Sequence, residues 1–201
     1  ESPAGGTVIV VQEIFGANAH IRDVAMRLAQ AGFVALAPAM FDRVAAGVEL
    51  RYDDAGMARG RALAGDLGFE AAVDILRSAT RWFREAGHAC AAMGFCWGGS
   101  VALLANTRLG LPAVSYYGAR TIPFLHESLQ APMLFHFGAE DASIPPQDIE
   151  RHRQAWPEAA IHVHPGAGHA FNRDVDPHHF ARDAAALAWR QSLDFLHEAL
   201  A

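Results

Sequence analysis

Cys96 sits in Gly94-Phe95-Cys96-Trp97-Gly98-Gly99, the G-x-nucleophile-x-G spacing of a sharp strand-to-helix turn, with cysteine where serine is more usual. The glycines leave room for a strained backbone, and the turn lifts the nucleophile clear of the sheet. The N-terminus of the following helix then favours a thiolate through its positive dipole end. A free cysteine is most often just a small buried apolar residue. That reading fits Cys90, which lies inside an apolar run without such flanks, so Cys90 is assigned no role.

Two partners complete a proton-relay chemistry. Asp141 closes Gly138-Ala139-Glu140-Asp141 directly after an apolar run, where an acid that orients a histidine is due. Glu140 is the competing choice, and an Asp after a strand is also a common turn residue. His169 stands in the glycine-rich segment Pro165-Gly166-Ala167-Gly168-His169, which can bring an imidazole back over the thiol. With 11 histidines in the chain, position rather than residue type selects His169. Nucleophile, acid and histidine each follow a candidate strand, and their joint order carries more weight than any one motif. His162, His164, His178 and His179 invite a zinc reading, but no matching carboxylate or cysteine set accompanies them; no metal and no cofactor is expected.

The elements that must position these groups can be read from the hydrophobic pattern. Six short apolar runs recur: 7–11, 33–37, 89–94, 113–117, 133–137 and 161–164. Helical spacing separates them, clearest at Ile21, Val24, Ala25 and Leu28, with Asn18 placed to cap the start and Gly32 the end. The periodic stretch 180–200 presents Phe180, Ala184, Leu187, Gln191 and Phe195 as the packed face of a terminal helix. Near-continuous apolar strands alternating with helices predict an α/β class, a doubly wound, mostly parallel sheet covered on both faces. Ligands of such sheets gather at the carboxyl ends of the strands, where Glu13, Cys96, Asp141 and His169 all fall.

The 201 residues, 52% hydrophobic, suffice for one domain over 1–201. The opening at Glu1 without a methionine leaves room for earlier strands in a longer parent. Sixteen Lys and Arg against 22 Asp and Glu, without a basic stripe, argue against nucleic acid as partner. No apolar run approaches the roughly 20 residues of a membrane span. Two cysteines and no secretory leader fit a reducing, cytoplasmic setting. The expected partner is a small molecule, bound by a monomer or weak homodimer.

Four segments together, Gln12-Glu13-Ile14-Phe15-Gly16, Gly94 to Gly99, Tyr116-Tyr117-Gly118 and Gly168-His169-Ala170-Phe171, resemble the dienelactone hydrolase family, and the likeness runs over nearly the whole chain. It implies the α/β-hydrolase fold and hydrolysis of dienelactone, an unsaturated lactone bearing a carboxylate, to maleylacetate in the breakdown of chlorinated aromatics. It also implies that Glu13 contacts the resting thiol and helps to ionise it, and that Arg173 receives the substrate carboxylate. Arg61 stands near a second family arginine, and Tyr116 falls in a motif expected to touch substrate. The amides of Ile14 and Trp97 are placed to form an oxyanion hole. The segment 51–68 should wall the pocket, yet Tyr52-Asp53-Asp54-Ala55-Gly56 departs from the family pattern, which leaves the substrate open. Rival readings are a lactone, ester or thioester hydrolase of other specificity, and a non-catalytic protein whose Cys96 senses oxidants or binds.

Overall fold

The computed structural model describes residues 6–201. Six strands form one sheet: β1 (Thr7–Val11), β2 (Val34–Leu36), β3 (Cys90–Phe95), β4 (Ala113–Tyr116), β5 (Met133–Gly138) and β6 (Ala160–His164). Every pairing is parallel, in the order β2-β1-β3-β4-β5-β6. Each of the six apolar runs has become a strand. β1, β3, β4 and β5 are buried along their whole length, as strands covered on both faces must be. The chain leaves β1 toward one edge and returns on its other side at β3, so a crevice opens where strand order reverses. The segments after β1 and β3 carry Ile14 and Cys96.

Helix α1 (Ala19–Gln30) begins as its sequence indicates: the Asn18 carboxamide oxygen accepts a hydrogen bond from the amide of Ile21 at 3.3 Å. Gly32 follows its end in the left-handed region, at φ +95°. Helix α2 (Asp54–Glu85) is two helical pieces meeting at Gly68, whose φ of 70° and ψ of 166° break the helix. Its first piece supplies the expected pocket wall through Met57 and Arg61. Helix α3 (Trp97–Leu109) springs from the cysteine turn, and α4 (Pro146–Ala155) links β5 to β6.

Helix α5 (Arg182–Ala199) closes the molecule, but on a different stripe from the one expected. Ala185, Ala188, Ser192 and Leu196 are buried, while Leu187 is exposed. Small side chains let the helix approach the sheet closely, and Ser192 reaches a polar partner there, so residue size rather than hydrophobicity sets the face. Among the described residues no helix is long and apolar enough to cross a membrane.

Candidate active site

β3 ends at Phe95, and the next residue turns the chain into α3 with φ 55° and ψ −117° at Cys96. Such a backbone strains any residue other than glycine, and it is held by the Cys96 amide donating to the Tyr116 carbonyl at 3.0 Å. Gly98 is required here because a methyl group on it would meet the carbonyls of Val11 and Gln12. The helix therefore starts hard against the end of β1.

His169 and Asp141 arrive from the other half of the sheet. The loop after β6 is pinned to the loop after β5: the amide of Ala139 donates to the His164 carbonyl at 3.0 Å, and that of Glu140 to the Ala167 carbonyl at 2.9 Å. Asp141 is buried, and its Oδ1 accepts from the Ser143 amide at 2.8 Å. Its Oδ2 bonds His169 Nδ1 at 2.7 Å, and His169 Nε2 lies 3.2 Å from Cys96 Sγ. Glu140 faces solvent, so of the two candidate acids only Asp141 reaches the imidazole. Burial alone would disfavour a charged imidazole. The bonds to Asp141 and Cys96, with the charges on both, outweigh it and raise His169 to about 10.

Glu13 is buried at 1% exposure, and its Oε2 accepts from Arg173 Nη1 at 3.3 Å. Its expected contact with the resting thiol is not formed: the thiol bonds His169, while Glu13, a buried carboxylate in need of a cation, has turned to Arg173. Arg173 also donates to Asp176 Oδ2 at 2.9 Å and lays its guanidinium carbon 4.1 Å from the centre of the Tyr52 ring. Burial opposes the guanidinium charge, but Glu13 above all holds its pKa up. Asp176 is bonded in turn by His179 Nδ1 at 2.8 Å.

These groups surround a cavity of about 480 Å³, lined among others by Ile14, Met57, Cys96, Trp97, His169 and Arg173. Arg61 is on its wall, exposed and in no ion pair among the described residues. Tyr116 is not. It is fully buried, stacks on Phe95 with ring centres 4.8 Å apart, and its hydroxyl bonds Ser192 of α5 at 2.7 Å. Side chains of a strand alternate between faces, and Tyr116 is the last residue of β4 on the α5 side. Tyr117, turned by a φ of 41°, instead sets its ring 5.2 Å from that of His169.

Asp176 and Tyr52, which hold Arg173, and Arg120, which lines the cavity, have no site role in the sequence reading, and His179 enters it only as a zinc candidate. The readable signal was the spacing of Asp176 three places after Arg173, which brings an acid and a base together in a turn. Among the described residues no three His, Cys, Asp or Glu side chains are arranged to hold a metal ion.

A parallel sheet wrapped by helices, with a nucleophile turn after its central strand and acid and histidine in the loops beyond, defines an α/β hydrolase. The model of the dienelactone hydrolase family matches residues 1–200, and the chain belongs to that family of carboxylic-ester hydrolases. It is 32% identical over 199 residues to a carboxymethylenebutenolidase of Pseudomonas putida, covering 94% of this chain and 84% of the relative. A Yersinia pestis protein described as a candidate carboxymethylenebutenolidase is 36% identical over 207 residues, covering 94% and 76%. Among solved structures, a candidate dienelactone hydrolase of Klebsiella pneumoniae superposes with a TM-score of 0.86 at 31% identity, covering 98% of this chain and 88% of that one. A dienelactone hydrolase-like promiscuous phosphotriesterase from metagenomic libraries gives 0.77 at 25% identity, covering 100% and 89%.

Proposed function

We propose that the protein hydrolyses an activated lactone or ester bearing a carboxylate, with dienelactone, giving maleylacetate, as the first substrate to try. The observation that carries this is the unbroken chain Asp141, His169, Cys96 on the wall of a cavity that Arg173 also lines. In the proposed cycle Cys96 reacts as the thiolate, with the imidazolium of His169 beside it. The thiolate attacks the substrate carbonyl carbon, forming a C–S bond, and the amides of Ile14 and Trp97 hold the resulting oxyanion. Collapse breaks the C–O bond, and His169 gives its proton to the departing oxygen. Neutral His169 then takes a proton from water, which attacks the thioester; the carboxylic acid leaves and the thiolate and imidazolium return.

A thiolate is itself a good leaving group, so the cycle favours substrates whose departing oxygen is stabilised, as an enolate is. Arg173 offers a forked guanidinium to the substrate carboxylate once its hold on Glu13 or Asp176 is shared. The test is to incubate the purified protein with dienelactone, follow maleylacetate, and quench early for mass spectrometry. An acyl adduct on Cys96 and steady product formation are expected. Turnover without any adduct on Cys96 in burst or quench experiments, or no turnover of any carboxylate-bearing lactone, refutes the reading.

A further inference from the structure

Beside the main cavity lies a second chamber of about 240 Å³, and the two share Ile14, Arg61, Trp97 and Arg120 in their walls. The chamber's own lining differs in character. Ala64, Gly65 and Gly68 of α2 form a floor of minimal side chains, and Phe69 forms an aromatic side. The Phe69 ring is stacked on Trp97, with centres 6.2 Å apart and planes 18° from parallel, and Phe124 meets Phe69 edge-on at 5.4 Å. The break at Gly68 turns α2 at the chamber, and the helix on either side of it frames the space.

The charges at the shared wall are unbalanced. Arg61 and Arg120 are both exposed there and enter no ion pair among the described residues, unlike Arg108 or Arg173, which each hold two acids. Arg120 is fixed at its backbone, where its amide donates to the Ser100 hydroxyl at 3.0 Å. Two free guanidiniums beside an aromatic and glycine-lined space form a receptor for an apolar arm that ends in an anion.

We propose that this chamber is a second substrate subsite, taking an apolar arm that ends in a carboxylate read by Arg120 with Arg61. The inference rests on the hydrolase reading and extends it: the preferred substrate is a dianion, one carboxylate facing Arg173 and another, across the scissile bond, facing Arg120. A simple monocarboxylate lactone fills only the main cavity.

The test uses the para-nitrophenyl monoesters of the dicarboxylic acids from succinate to suberate, each against the neutral alkanoate ester of equal length, with the acetate ester as common reference. For the wild type, kcat/KM relative to acetate should favour at least one monoester over its neutral counterpart by about tenfold, the size of one charged hydrogen bond. Arg120→Gln should remove most of that preference. Gly65→Leu should remove it too, because Gly65 has ordinary helical backbone with open space where a side chain would go, so leucine fills the chamber. Loss of folding is excluded by circular dichroism and by the acetate rate serving as denominator. A preference absent from the wild type, or unmoved by both variants, overturns the proposal. If the wild type cleaves no ester, the hydrolase reading fails instead, and calorimetric binding of free suberate decides the chamber: weaker binding in both variants supports it, equal binding refutes it.

Discussion

Glu13 and Arg173 stand 160 positions apart in sequence and meet as a nearly water-free ion pair, their side chains 1% and 7% exposed. Arg173 has a second acid in Asp176, whereas Glu13 has no other cationic partner among the described residues. Arg173→Met should therefore destabilise the protein by about 3 to 5 kcal/mol, the usual cost of leaving a buried charge without its partner. Adding Glu13→Gln should recover a good part of the loss. Urea unfolding of both single variants and the double variant measures the coupling directly, and additive losses would contradict it.

The same pairing bears on substrate reading. Arg173→Ala should lower kcat/KM for an acidic lactone by about 1.5 to 3 kcal/mol beyond its effect on the methyl ester of that lactone. Equal losses on both would mean that Arg173 serves Glu13 and the fold rather than the substrate carboxylate.

For the reacting groups, Cys96→Ala and His169→Ala should each cost several orders of magnitude in turnover while circular dichroism stays native. Asp141→Asn should be strongly damaging and Glu140→Gln close to neutral, since only Asp141 reaches the imidazole. Cys90→Ser, in the buried β3 strand, should affect stability and leave kcat nearly unchanged.

The pKa of His169 gives a prediction of known sign. Its protonated form is favoured by the fold, so the group contributes stability that is complete below its ordinary 6.5 and is lost as pH rises through about 10. Imidazole NMR should show His169 still protonated at pH 8. In Cys96→Ala, which removes one bond and one charge that hold the proton, the midpoint should fall. A wild-type midpoint near 6.5 would remove the resting ion pair from the mechanism.

Behind the site the sign reverses. His164 is lowered to about 4 and His136 well below its ordinary value, burial being the main cause in both, and the two rings bond each other at 3.0 Å. Both are held neutral, so stability is full above pH 6.5 and declines as pH falls toward 4. The unfolding free energy of the wild type should drop over that window, and His164→Gln should flatten the drop; an unchanged slope would exclude this pair as the cause.

Much of this was legible in the residues. Six apolar runs marked six strands, and the glycine-flanked turn at Cys96, with the order in which Asp141 and His169 follow later strands, pointed to three side chains that the fold brings within hydrogen-bond reach. Tyr116 was misplaced because strand parity, which the sequence does carry, ends at Tyr117, where a left-handed residue redirects the chain and nothing in the residue type announces it. The face of α5 was shifted because hydrophobic size marks burial poorly where close approach demands Ala and Ser. Asp176 and His179 carry no legible signal of their own for this site because their importance comes from Arg173, and Arg173 is fixed by a glutamate at the far end of the chain.

That long reach has a consequence for biosynthesis. Cys96 and His169 are 73 residues apart, and the histidine comes to the thiol only when β5 and β6 have joined the sheet. The residue beside the turn on its other side, Ile14, needs β1 paired with β3. A chain still emerging from the ribosome thus carries Cys96 as an ordinary thiol with no base beside it. In the proposed mechanism Cys96 gains its base only when the last strand is in place, so recovery of thiol reactivity during refolding should report completion of the whole sheet rather than of the turn.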